Sequence, residues 1–266
     1  EKLLKKETAR EIYGQCTELL RTPDYSVQNL LLKMRVQVVC TTDDPADSLG
    51  HHKQLQEQNF GVKVLPTFRA DKAMAIETGD AYLDYLEKLG EAADVTISSY
   101  PTLLEALKNR HDFFAEMGCL LSDHGLETVY TANYTSTEIK SIFNKVLIKA
   151  DLKQKEINKF KSALLVFLAE MDHEKGWVQQ FHLGALRNNN SRMKRDLGPD
   201  TGFDSIGGFD MAKPLAKFLD RLDNRDKLAK TILYNLNPRD NELFATMIGN
   251  YIPGGTPGKL QFGSGW

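Results

Sequence analysis

The sequence predicts an α/β protein with parallel strands, and three observations predict it. Short apolar runs rich in β-branched and aromatic residues recur along the chain, a polar cluster follows each of them, and stretches with helical spacing lie between. Parallel neighbours need a crossover, which a helix supplies, so the alternation implies either an open doubly wound sheet or a (β/α)8 barrel. No Gly-x-Gly-x-x-Gly or Walker lysine follows any run, which argues against the common nucleotide-binding forms of the open sheet.

In chain order, residues 1–33 read as a leading helical segment, with Thr8 and Glu11 at capping-box spacing. The first strand run is Val36-Gln37-Val38-Val39-Cys40 and the second is Val62-Lys63-Val64-Leu65. Leu103, Leu104, Leu107, Phe114 and Met117 then put an apolar stripe on one helix, where Thr102 and Glu105 again have capping-box spacing. The third run, Cys119-Leu120-Leu121, gives way to Ser122-Asp123-His124, and Thr135 with Glu138 marks another helix start. A second stripe, Ile157, Phe160, Leu164, Phe167, Leu168 and Met171, ends where Gly176 is placed to stop the helix. Val178-Gln179-Gln180-Phe181, Thr231-Ile232-Leu233-Tyr234 and Lys259-Leu260-Gln261-Phe262 complete six runs, two short of the usual closed barrel.

The 266 residues, 41% hydrophobic and 26% charged, can build a substantial core. The net charge of −2 and the spread of the 34 basic residues leave no electrostatic footprint for nucleic acid or for an anionic membrane. No apolar run approaches the length of a membrane span, and the N-terminus lacks a signal-peptide pattern. Cys16, Cys40 and Cys119 are odd in number and isolated, and are expected to be reduced, buried thiols of a cytoplasmic protein. The chain starts at Glu1 and stops at Trp266 just past a strand-like run, so it is expected to be part of a longer protein.

Barrel enzymes place their chemistry on the loops at the C-terminal ends of strands, which makes the polar clusters informative. Those ends carry Thr41-Thr42-Asp43-Asp44-Pro45, Pro66-Thr67-Phe68-Arg69-Ala70-Asp71, Ser122-Asp123-His124, His182-Leu183-Gly184-Ala185-Leu186-Arg187, Asn235-Leu236-Asn237-Pro238-Arg239-Asp240-Asn241 and Gly263-Ser264-Gly265-Trp266. Carboxylate, guanidinium, imidazole and amide together suit a polyhydroxylated or acidic small molecule, with or without a divalent metal. Each residue also has a plainer reading. Asp43, Asp44 and Asp123 could cap helices, His124 could sit in a surface loop, and His182 could be a hydrogen-bonded core residue. Arg69 is costly to bury alone, so it is either solvated or matched to an anion. His51-His52 reads as a partly exposed helix face, since adjacent helical residues point about 100° apart. Asn188-Asn189-Asn190 favours turn geometry, and Gly198-Pro199-Asp200-Thr201-Gly202 is a connector that could act as a lid.

At the level of longer motifs the sequence resembles the uronate isomerase (glucuronate isomerase) family. The resemblance is carried by Thr41-Thr42-Asp43-Asp44-Pro45 with His51-His52, Lys63-Val64-Leu65-Pro66 with Arg69 and Asp71-Lys72-Ala73, and Ser122-Asp123-His124. It continues through Gly176-Trp177-Val178-Gln179-Gln180, His182, Ala185-Leu186-Arg187-Asn188-Asn189-Asn190, Leu197-Gly198-Pro199-Asp200, Asn237-Pro238-Arg239-Asp240-Asn241-Glu242 and Gln261-Phe262-Gly263-Ser264-Gly265-Trp266, in one order along nearly the whole chain.

The resemblance implies a (β/α)8 TIM barrel of the metal-dependent hydrolase type, in the amidohydrolase superfamily, with one divalent metal, zinc being the expected one. It also implies an intramolecular oxidoreductase that interconverts D-glucuronate with D-fructuronate and D-galacturonate with D-tagaturonate in sugar-acid catabolism. On that plan the six runs are barrel strands two to seven within a single domain over 1–266. The family's His-x-His pair and its Asp-Ser-Arg are absent, so an internal stretch with little activity of its own is expected. Residue by residue, Arg69 matches the family's substrate-carboxylate arginine, where a bidentate fork suits a carboxylate. Thr42, Asp43, Asp44, Arg187 and Asn188 are further expected substrate contacts, Asp123 and His124 the expected catalytic pair, and His182 the expected metal ligand. Isomerisation itself needs a base at C2 and a proton returned at C1, or a metal-assisted hydride shift. A small uronic acid is the expected partner, with self-association left open. Another metal-dependent amidohydrolase and a non-catalytic sugar-acid-binding chain are the alternatives.

Overall fold

The computed structural model describes residues 2–265; Glu1 and Trp266, the end of the last motif, lie outside the described residues. The chain divides into two compact units, one of residues 1–41 with 49–66 and one of 42–48 with 67–266.

The first unit contains α1 (Ala9–Leu20), α2 (Val27–Lys33), β1 (Val38–Cys40), α3 (Gly50–Glu57) and β2 (Lys63–Leu65). β1 and β2 are parallel partners, with Val39 opposite Val64. Thr8 takes the N-cap position of α1, but the expected box with Glu11 does not form. The preceding chain folds back and takes the hydroxyl, which donates to Leu3 O (2.7 Å) and accepts from the Lys5 N–H (3.0 Å), while Glu11 pairs with Lys2. The two histidines on α3 separate as their angular offset requires: His51 is exposed, whereas His52 is buried, its Nε2 2.8 Å from Thr41 Oγ1. Cys16 and Cys40 are exposed, which corrects the expectation of buried thiols; Cys119, in the second unit, is buried. Cys16 lies on a helix with no buried residue, so its apolar neighbours in sequence are not its neighbours in a core.

In the second unit, α4 (Asp80–Ala93) and α5 (Tyr100–Glu116) precede β3 (Leu121–Leu126), and α6 (Ser136–Leu147) and α7 (Gln154–Lys175) lead to β4 (Val178–Leu183). An antiparallel ribbon of β5 (Ala185–Leu186) and β6 (Ser205–Ile206) flanks α8 (Ser191–Leu197). The chain continues through α9 (Ala212–Asp223), β7 (Lys230–Asn235), α10 (Asn241–Gly249) and β8 (Leu260–Phe262). Two helix ends follow the sequence reading. Thr135 and Glu138 cap α6 reciprocally, and Gly176 closes α7 in the left-handed conformation at φ 68°. The Thr102–Glu105 box does not form, because α5 starts earlier. Pro101 fits its first turn, Ser99 is the N-cap, and the Thr102 hydroxyl accepts from the Ser99 N–H at 2.9 Å.

The sheet order discriminates between the two predicted architectures. β3, β4, β7 and β8 lie side by side and parallel, and single parallel bridges join Phe68 to Ser122 and Asp43 to Phe68. Each segment therefore neighbours the next of these in chain order. A doubly wound sheet reverses at a switch point; this order has no reversal and is that of a (β/α)8 barrel. Among the described residues β8 pairs only with β7, and no closed barrel forms.

Register sets the two faces of this sheet, since parallel partners share a face and successive residues alternate. Ser122, Gln179 and Thr231 align on the helix side, as do His124, Phe181 and Leu233. There Phe181 meets Phe218 of α9 edge-on at 5.4 Å, and Ser122 Oγ donates to Asp172 of α7 at 2.6 Å. Asp123 and Gln180 share the opposite, inner face, as do Gly125, His182 and Tyr234. β3 thus runs through Ser122-Asp123-His124 instead of ending before it. Helix-side polar partners let a strand continue through residues that look like a loop. No helix among the described residues is long and apolar enough to cross a membrane.

Candidate active site

Arg69 follows the strand-like bridge at Phe68 and turns toward the inner face of β3. Its Nε donates to Asp71 Oδ2 at 2.9 Å and its Nη1 to Asp123 Oδ2 at 3.1 Å. Burial alone would lower the guanidinium pKa, but the charges of Asp71 and Asp123 outweigh it and raise it. Asp123, almost fully buried, also bonds His182 through Oδ1 at 2.6 Å from Nδ1. The His182 ring stacks parallel on Tyr234, with centroids 4.3 Å apart and planes 2° apart, and Tyr234 donates its hydroxyl to Gln180 Oε1. Burial, then the Asp123 charge, pushes the Tyr234 phenol upward, so it stays a neutral donor. Gly263 leaves room for that ring: a Cβ there would lie 2.3 Å from it.

The segment 42–48 supplies the acidic rim. Asp43 Oδ2 accepts from the Thr67 N–H (3.2 Å), and Arg69 N–H donates to Asp43 O (2.9 Å). Asp44 Oδ1 accepts from the Ala46 N–H in a side-chain turn, and Asp47 Oδ2 reaches back to accept from the Asp44 N–H. Burial raises the Asp44 pKa, against the opposing pull of the Ala46 amide and Lys72. Buried Arg110 fastens the segment from α5, donating to Pro45 O (2.7 Å) and Asp47 O (2.8 Å). On the other side, the β5–β6 ribbon positions Arg187, whose Nη1 donates to Asp204 Oδ2 (2.9 Å) and Asp200 Oδ1 (3.3 Å). Asn188 takes the left-handed conformation at φ 55°, as its composition suggested. Its N–H donates to Asp204 and its Oδ1 accepts from the Asp200 N–H.

These parts enclose a cavity of about 750 Å3 lined by Thr42, Asp43, Asp44, Asp47, Arg69, Asp71, Lys72, Ala75, Gly125, Arg187, Asn188 and Asp200. All six expected substrate contacts are among the lining. The expected catalytic pair separates by strand parity: Asp123 is on the inner face with Arg69 and His182, whereas His124 faces the helices. The His124 side chain is 2% exposed, stacks near Phe181, and bonds Asp71 Oδ1 through Nδ1 at 2.9 Å. Its reach to the cavity is therefore through Asp71. Nor do the Asp residues cap helices: Asp123 lies inside a strand, and Leu49 is the N-cap of α3. Asn235 and Asn237 tie the loop after β7, Asn235 to Asn241 and Asn237 to Gly207 O.

Residues to which the sequence reading assigned no role in the site are Asp71, Gly125, Gln180 and Tyr234. Period-two counting from Asp123 and His182 reaches Gly125 and Gln180 on the inner face, whereas Tyr234, on the next strand, is placed there only by the register with β4. The divalent metal implied by the resemblance does not fit the described residues alone. Among them no three His, Cys, Asp or Glu side chains are grouped to hold an ion.

Comparison with known proteins places the chain in a family. The family model described as glucuronate isomerase matches residues 1–266. The uronate isomerase of Bacteroides thetaiotaomicron is 58% identical over 266 residues, covering 100% of this chain and 57% of that protein. That of Bacteroides fragilis is 56% identical with the same coverage. The crystal structure of uronate isomerase from Thermotoga maritima superposes with a TM-score of 0.89 at 34% identity, covering 100% of this chain and 56% of that one. The glucuronate isomerase from Caulobacter crescentus gives 0.88 at 27% identity, covering 100% and 54%. The chain thus spans a little over half the length of the relatives it matches. With barrel-type strand order, a paired-arginine cavity and a match along its whole length, this chain belongs to the uronate isomerase family.

Proposed function

We propose that the native protein is a uronate isomerase, converting D-glucuronate to D-fructuronate and D-galacturonate to D-tagaturonate. The observation that carries this reading is the cavity where Arg69 and Arg187 stand together behind a rim of Asp43, Asp44 and Asn188, beside the Asp123–His182 pair. A guanidinium fork suits the acid group of the sugar, and carboxylates and amides suit its hydroxyls. Thr42 and Asn188 can donate to sugar oxygens, and Asp43 and Asp44 can accept from hydroxyls.

In the proposed chemistry the Asp123–His182 pair takes the proton from C2 and returns one to C1, while the O2 proton passes to O1. The net reaction moves two hydrogens within one molecule and needs no external oxidant or reductant. His182 donates Nδ1–H to Asp123 when neutral, so its lone pair lies on Nε2. Asp123 touches the reacting sugar in this reading, whereas His124 acts by fixing Asp71. Zinc has one candidate donor here, His182, and every step above uses the chain's own groups. A cytoplasmic location and a free sugar acid as the partner, without nucleic acid or membrane, complete the proposal. The hydrolase alternative is not favoured, because the matching family model and the relatives described above are isomerases.

The test is ketose formation from D-glucuronate by the native protein, and an absence of ketose would overturn the reading. Arg69→Ala is expected to raise KM for D-glucuronate roughly tenfold or more, equivalent to about 1.4 kcal/mol. An unchanged KM would remove the carboxylate role from Arg69.

A further inference from the structure

Gly125 stands on the inner face of β3, one register step from Asp123 and opposite His182. Its backbone lies outside the left-handed region, so conformation does not require glycine there. Space does. A Cβ at this position would lie 2.0 Å from Arg69 Nη2, 3.2 Å from Arg69 Cζ and 3.7 Å from Arg187 Nη2. Both guanidiniums therefore approach the one inner-face residue of β3 that lacks a side chain. The Gly125 amide contributes as well: it donates to Asp71 Oδ2 at 2.9 Å, the same oxygen that accepts from Arg69 Nε. His124 holds the other oxygen of Asp71. Asp71 is thus fixed on β3 at two points, and the oxygen that takes the Gly125 amide also takes the arginine.

We propose that Gly125 determines specificity for the acid group of the sugar, by admitting Arg69 to the cavity wall beside Arg187, with Asp71 as the residue that positions Arg69 there. The proposal rests on the uronate reading of the cavity. A planar fork pairs with a carboxylate only when both are aligned, so the position of the guanidinium matters as much as its charge. A methyl group at residue 125 meets the tip of a flexible side chain, not backbone. Arg69 is displaced while the strand keeps its pairing, and the loss falls on recognition of the acid group.

The experiment compares the native protein with its Gly125→Ala and Asp71→Asn variants. It measures steady-state kinetics on D-glucuronate and equilibrium binding of D-glucuronate and of its uncharged amide, D-glucuronamide. Gly125→Ala is expected to raise KM for D-glucuronate roughly tenfold while kcat changes less than about threefold. The preference for the acid over the amide should fall by the same factor, with the melting temperature within about 2 °C of wild type. Asp71→Asn should shift KM and preference in the same direction by a smaller factor, since an amide oxygen still accepts from Arg69 Nε. Unchanged preference in both variants, or equal losses for acid and amide, would overturn the proposal, because a purely structural role predicts the latter. If Gly125→Ala fails to fold, Asp71→Asn decides alone. A wild-type protein that does not prefer the acid overturns the uronate reading itself and the proposal with it. Failure of the proposal alone appears only in the variants.

Discussion

Asp71 joins three partners with two oxygens, and its neighbours set its charge state. Burial pulls its pKa upward, but the hydrogen bond and charge of His124, then Arg69 and the Gly125 amide, outweigh burial and hold it below the ordinary 3.8. Burial alone would likewise lower His124, yet the Asp71 bond and charge raise it above the ordinary 6.5. The two shifts bound a pH window. A raised histidine contributes stability that is complete below its unfolded value and is lost as pH rises through its higher folded value. A lowered carboxylate contributes stability that is complete above its unfolded value and is lost as pH falls through its lower folded value. The pair is therefore worth most between about pH 4 and about pH 6.5. Thermal melts of wild type and Asp71→Asn across pH 4 to 9 should differ most in that window and narrow above it, where the His124 share is lost and the Arg69 and Gly125 share remains. A difference that stays constant with pH would disprove the ionic pairing. At this scale the residue types were legible in the sequence, since all six expected substrate contacts line one cavity. Which way His124 points was not, because strand parity depends on where the strand starts.

Between elements, a buried polar knot joins β3, α5 and α7. Asp172 of α7 accepts from Ser122 Oγ at 2.6 Å and meets His111 Nε2 at 3.1 Å, with all three side chains 2% exposed or less. His111 in turn lies over Trp177, their centroids 3.9 Å apart, and Phe68 meets it edge-on. Serine, aspartate and histidine here form a structural bridge on the helix side of the sheet, away from the cavity. Asp172→Ala strands two buried polar groups and is expected to cost on the order of 3 kcal/mol in urea unfolding. Ser122→Ala removes one uncharged partner and should cost about 1 kcal/mol. Equal losses from the two would contradict the shared-acceptor arrangement. Helix ends were legible where the cap competes with nothing, as at Thr135 and Gly176. They were misread at Thr8 and Thr102, where neighbouring backbone claims the same hydroxyl.

Across the whole molecule, strand environment differs between the two units. β4 and β7 are each paired on both sides in the second unit, while β1 and β2 form a two-stranded pair in the first. Two-stranded pairing is marginal by itself, and opening free energies follow local burial. Hydrogen exchange should therefore be slowest for the amides of β4 and β7, and faster for those of β1 and β2. Uniform protection would show that the chain unfolds as one cooperative block. The sequence by itself determined the alternation of strand and helix, the family and the identity of the polar groups, because apolar periodicity and long motifs are properties of local order. Tertiary structure decided strand order, the inner and outer faces, and the convergence of Arg69 and Arg187 on Gly125. Those depend on which residues stand opposite one another across the sheet, and a single change of register would send every side chain to the other face.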